Sequence, residues 1–148
     1  MDFQTLAGWG MQEVPHKRYL NDFFTGKIAE SVSRGELYNE DPITGDARFC
    51  ATTASMCGIE SAGFEQNEEK KKRAVRFDLM LHAYMMVQSG IPMLYSGDEI
   101  GQVNDYTYKN DPEKRVDSRY IHRGKFDWKL ADGRKRNGTV QKLSLIHI

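Results

Sequence analysis

The 148 residues carry 21 Lys and Arg against 21 Asp and Glu, so the net charge is zero and no global field favours nucleic acid or an anionic membrane. Apolar residues make up 39% and charged residues 28%, with seven Tyr, seven Phe and two Trp, a composition that permits a packed core and argues against disorder. No window approaches the roughly 18 apolar residues of a membrane span, and Met1-Asp2-Phe3-Gln4 lacks the basic start and apolar run of a secretory signal, which predicts no membrane partner and a cytoplasmic location.

Residues 1–15 place Phe3, Leu6, Trp9 and Met11 at weak helical spacing that Pro15 ends. From His16 onward, Tyr19, Leu20, Phe23 and Phe24 define a short amphipathic helix, stopped by Thr25-Gly26. Residues 33–48 gather Ser33, Gly35, Asn39, Asp41, Pro42, Gly45 and Asp46, turn formers that predict a structured loop. Phe49 to Ala62 is rich in small residues and predicts a closely packed, buried helix. Within it, Cys50 and Cys57 fit buried thiols rather than a disulfide framework or a metal site, and no cofactor is expected.

Asn67 followed by Glu68 and Glu69 is a helix cap with acidic residues at the positive end of the dipole. It opens a helix to Ser89 whose second half is expected to be buried and which Gly90 closes. Ile91 to Tyr95 then forms a run without polar alternation, and hence without a solvent face, which predicts a buried strand. Residues 102–128 hold Asp105, Asp111, Asp117 and Asp127 with three Tyr and no periodicity, the pattern of a functional loop. Residues 129–142 are basic and polar, and the glycosylation pattern at Asn137-Gly138-Thr139 carries little weight without a secretory signal. Residues 143–148, Leu-Ser-Leu-Ile-His-Ile, fit either a short alternating strand or the translated end of a transposase adapter used in sequencing libraries. The second is the expectation, which makes them a non-native tail.

Helix, buried parallel strand, then polar residues at the strand's C-terminal end is the wiring of an α/β barrel. Such a barrel takes roughly 250 residues, so the expected fold class is α/β, a fragment of a TIM (β/α)8 barrel. One strand with its helix would leave strand edges and an apolar helix face uncovered, which predicts poor solubility or a molten state.

Four stretches could carry chemistry. Gly97-Asp98-Glu99 pairs two carboxylates whose side chains point in different directions along an extended chain, so they either serve a site separately or tie down neighbouring loops. Asp117-Ser118-Arg119-Tyr120-Ile121-His122-Arg123 concentrates a carboxylate, two guanidinium groups and an imidazole. Arg119 there either binds substrate or forms a solvated ion pair. Thr44-Gly45-Asp46-Ala47-Arg48 is a turn that would fix Arg48. Of the histidines, His82 fits a hydrogen-bonded core residue, and His16 a cap or packing residue. No serine or cysteine triad, phosphate-cradling glycine motif or internal repeat is present.

Taken together, His16-Lys17-Arg18-Tyr19-Leu20-Asn21-Asp22-Phe23-Phe24, Arg34-Gly35, Thr44 to Arg48 with Thr52, Gly90-Ile91-Pro92 through Gly97-Asp98-Glu99, Asn104-Asp105, and Asp117-Ser118-Arg119 with His122-Arg123 resemble the α-amylase superfamily of glycoside hydrolases, and within it the amylosucrase-like branch. The resemblance implies a mostly helical inserted subdomain over 1–66, and the end of a catalytic barrel over 67–142. The barrel part would comprise a seventh helix at Asn67–Ser89, an eighth strand at Ile91–Tyr95 and an eighth loop at 96–128. It also implies retaining chemistry on sucrose or an α-glucan, by hydrolysis or glucosyl transfer, with an Asp nucleophile and a Glu acid/base that lie before the matched segment. This chain alone is then expected to be inactive. Its implied substrate-binding residues are Arg48 on the acceptor side, Arg119 closing the glucosyl pocket with an Asp from elsewhere, Asp117 and Tyr19. Lys17 and Tyr19 stand where an amylosucrase tends to have Arg and Phe, which bears on acceptor preference. The rival expectation is a small non-enzymatic module that binds carbohydrate or a partner.

Overall fold

A computed structural model describes residues 2–11, 13–135 and 138–144. Helix α1 (Phe3–Gly8) is capped by the Asp2 carboxylate, which accepts the N–H groups of Gln4 and Thr5. Helix α2 (Glu13–Phe24) begins three residues before the expected start, with Pro15 inside its first turn. The first turn has no intrahelical acceptor for its N–H groups, so proline is tolerated there rather than breaking the helix. Strands β1 (Glu36–Tyr38) and β2 (Arg48–Cys50) pair antiparallel, with Glu36 opposite Cys50 and Tyr38 opposite Arg48. The expected single helix over Phe49–Ala62 is instead the end of β2 followed by two short helices, α3 (Thr53–Met56) and α4 (Ile59–Phe64). Gly58 divides them at φ 93°, where a side chain would be strained and a Cβ would lie 2.9 Å from Val32.

Helix α5 (Glu68–Met86) starts as expected, with Asn67 Oδ1 accepting the Lys70 N–H at 3.0 Å. Its buried residues are Ala74, Val75, Asp78 and His82, while Phe77, Met80, Tyr84 and Met86 are exposed. The expected burial of its second half is therefore corrected: only the side that carries Asp78 and His82 is buried there, and the apolar side chains opposite it stay largely exposed.

The larger correction is the fold class. Ile91–Tyr95 forms no strand, and Ile91 and Met93 are 91% and 80% exposed. The described residues hold a single two-stranded antiparallel sheet, helix takes up 51% of the chain, and no part of a TIM barrel is present. An apolar run becomes a strand only when neighbouring strands take up its backbone groups, and no described segment pairs with 91–95.

Beyond residue 95 the chain is built from short turns: 3-10 turns at Asp98–Ile100, Tyr106–Asn110, Ser118–His122 and Asp132–Lys135, and helices α6 (Trp128–Ala131) and α7 (Thr139–Leu143). The four aspartates read as functional are turn formers. Asp105, Asp111, Asp117 and Asp127 accept the backbone N–H of Thr107, Glu113, Arg119 and Leu130, at 2.9 to 3.0 Å. Short Asx turns explain the aspartate content of an aperiodic stretch.

Among the described residues, three small cores hold the elements together. Ala54, Ile59, Ala74, Val75 and Leu143 join α3, α4, α5 and α7. Cys50, Tyr108 and Ile121 join the hairpin to the 105–123 segment, and Ile100, Ala131 and Val140 join the last turns. Leu143, the first residue of the stretch read as a tail, is fully buried against α5, whereas 145–148 and Asn137 lie outside the described residues. Gly101, at φ 64°, lets Leu143 approach: a Cβ there would meet its Cδ1 at 2.6 Å. No described helix is long and apolar enough to cross a membrane.

Candidate substrate-binding site

The turn before β2 is locked from within and from behind. Asp41 Oδ1 accepts the N–H groups of Ile43 and Thr44, both at 2.8 Å, and the Asp41 carbonyl accepts that of Gly45. Behind it, α2 supplies Arg18 to the Thr44 carbonyl at 3.3 Å, Asn21 to the Ala47 carbonyl at 3.1 Å, and Lys17 to Asp46 at 3.5 Å. Phe24 stacks on Phe49 at 4.4 Å, tying the helix to β2. These contacts fix the backbone at Ala47, so Arg48 leaves the turn in a defined direction, as the sequence suggested.

Arg48 and Tyr38 are direct partners across the hairpin, and directly opposed side chains lie on one face. The 3-10 turn Ser118–His122 packs on that hairpin, with the Ser118 hydroxyl donating to the Leu37 carbonyl at 2.7 Å. It brings the Arg119 guanidinium over the Tyr38 ring, 4.6 Å from its centroid. Arg119 Nε lies 2.9 and 3.1 Å from the two Asp117 oxygens, and Nη2 2.8 Å from Oδ2, a bidentate fork. The Arg119 guanidinium beside Asp117 holds its carboxyl down at about 2.

Three of the four sequence-derived site residues, Arg48, Asp117 and Arg119, therefore gather around Tyr38. Arg48 is exposed and makes no ion pair among the described residues. Tyr19 stands apart on the exposed side of α2, stacked on Phe23 at 6.4 Å. The carboxylate that occupies Arg119 is Asp117 in its own turn, although the resemblance implied an Asp from elsewhere. Tyr38 was missed by the sequence reading. Its only signal was Leu37-Tyr38 placed among turn formers, too short a run to read as a strand.

The carboxylates of Gly97-Asp98-Glu99 tie down their own loop: Asp98 Oδ2 accepts the Tyr95 N–H at 2.9 Å and Glu99 Oε2 accepts that of Gly97 at 3.0 Å. His82 is the buried, hydrogen-bonded core histidine that was expected, with Nδ1 3.0 Å from the Asp78 carbonyl. His122 has a buried Nδ1 with no hydrogen-bond partner among the described residues, its ring meets Tyr95 edge-on at 5.5 Å, and burial together with Arg123 pulls its pKa below the ordinary value. Both cysteines are free and buried, and burial aided by Asp78 and Asp98 pushes the Cys57 thiol up to about 12. Such a thiol is not a nucleophile at neutral pH. Among the described residues no group of His, Cys, Asp and Glu is arranged to hold a metal ion.

Asn104 joins three segments. Its Oδ1 accepts the Thr52 N–H at 2.9 Å, its Nδ2 donates to the Arg34 carbonyl, and its N–H donates to Ser55 Oγ at 2.9 Å. It fixes the 105–123 segment against the end of β2. No family model matches the chain.

Proposed function

We propose that this chain supplies part of the substrate-binding side of a retaining enzyme acting on α-glucosides, by glucosyl transfer or hydrolysis on sucrose or an α-glucan. The observation that carries the reading is the convergence of Arg48 and Arg119 on one face around Tyr38, although they come from distant parts of the sequence. Planar guanidinium groups gathered around a tyrosine suit a sugar, whose hydroxyl oxygens accept hydrogen bonds from them. The resemblance to the amylosucrase-like branch rests on the segments that carry the two arginines, Thr44–Arg48 and Asp117–Arg119. Without a nucleophile and an acid/base carboxylate flanking the bond, the chain by itself binds and does not cleave. Two free, buried cysteines fit a reducing cytoplasm.

Saturation-transfer NMR with sucrose and with maltotriose tests the reading. Binding of one of them, weakened about ten- to hundredfold in Arg48→Ala and Arg119→Ala, is expected. No binding, or binding that both variants retain, overturns it. The non-enzymatic module has one observation in its favour, the exposed aromatic rings of Tyr19 and Trp128. Binding that is lost on replacing those rings and kept without the arginines would establish it instead.

A further inference from the structure

Under the exposed face of α5 lies a buried cluster that the substrate reading does not use. Asp78 has no accessible surface, and His82, one turn later on the same face, and Asp98, in the loop after residue 95, are also buried. His82 Nδ1 lies 2.8 Å from Asp78 Oδ1 and 3.0 Å from the Asp78 carbonyl, while Nε2 lies 3.5 Å from Asp98 Oδ2. Both ring nitrogens thus face only acceptor oxygens. A neutral imidazole has one N–H, so one nitrogen would turn a lone pair towards an oxygen. An imidazolium donates on both sides. Among the described residues neither Asp78 oxygen has a well-aligned hydrogen-bond donor, so the pairing is held by charge.

We propose that protonated His82 is a pH-sensitive latch: its imidazolium bridges Asp78 on α5 to Asp98 and so holds the 95–101 loop down, and deprotonation releases that loop. The other groups around it do not replace this charge. Cys57, at the end of α3, is a neutral thiol. Glu60 on α4 faces the Tyr106 hydroxyl, and Lys142 on α7 lies beside Glu68 and Lys72 at the far end of α5. Burial lowers the His82 pKa, yet Asp78 and Asp98 outweigh it and the net direction is upward, in keeping with the geometry. The loop leads through Gln102 to Asn104, so the latch bears on the segment that carries Asp117 and Arg119. It stands whether or not that segment binds a sugar.

The test is a titration of the His82 ring by nitrogen-15 NMR on the full chain, with hydrogen exchange of the Tyr95 amide followed over the same pH range. Both ring nitrogens protonated at pH 7, and Tyr95 protection falling at least tenfold as the ring deprotonates, are expected. A neutral ring at pH 7 overturns the proposal. So does Tyr95 protection that is absent throughout, or independent of pH after correction for intrinsic exchange. Asp98→Asn, which keeps the shape, is expected to lower the His82 pKa; an unchanged value overturns the bridge.

Discussion

Asp117 and Asp78 are the same side chain put to opposite uses. Asp117 meets its guanidinium partner at the surface in a bidentate fork, keeps access to water, and its carboxyl is held down at about 2. Asp78 meets its imidazole inside the protein, where burial outweighs the partner and pushes the carboxyl up to about 6. Near the surface, hydrogen-bond geometry sets the direction of a carboxylate's shift. In the interior, the loss of water does. The consequence is a division of labour, because the surface pair can open for a ligand at little cost, whereas the buried cluster cannot lose one member without stranding the others' charge.

The most severe way to break that comparison is His82→Leu, which leaves two buried carboxylates uncompensated. A loss of about 3–5 kcal/mol in urea unfolding at pH 7 is expected, against a clearly smaller loss for Asp117→Asn, whose pair with Arg119 is screened by water. Equal effects of the two variants would erase the distinction. Next in size, Ile121→Ala empties a fully buried site between the hairpin and the 105–123 segment and is expected to cost about 2–4 kcal/mol. Ile91→Ser, on an exposed run, is expected to leave the urea midpoint unchanged.

The pH dependence sharpens the comparison through its sign. Asp117 is depressed from 3.8 to about 2, so its contribution is present above 3.8 and is lost as pH falls through about 2. Asp78 is raised from 3.8 to about 6, so its contribution is present below 3.8 and is lost as pH rises to about 6. Thermal melts of Asp117→Asn should flatten the acid limb between pH 2 and 4 in the ratio to wild type, and those of Asp78→Asn the limb between pH 4 and 6. A single limb altered by both variants would mean that the groups titrate together.

The sequence was most informative where a single residue has a local job. Asn67 with Glu68 and Glu69 opens α5 as expected, because a cap needs only its own first turn. The Thr44–Arg48 turn was legible for the same reason. What failed was Ile91–Tyr95, where apolar content was taken for a strand although strand character depends on the neighbours available. The hairpin failed in the opposite way, its two three-residue strands hidden among turn formers. Of the buried cluster, His82 was recognised as a core residue, but Asp78 one turn earlier was not linked to it. That spacing was visible; its burial was not.

The three-way junction at Asn104 also sets how the molecule would age. Spontaneous loss of ammonia from this amide would turn a donor into a carboxylate that accepts only, leaving the Arg34 carbonyl facing another acceptor in the interior. One atom exchanged at one side chain would remove one of the ties between the 105–123 segment and the hairpin, and leave the Cys50, Tyr108 and Ile121 core and the Ser118 bond to Leu37 to hold the arginine face together.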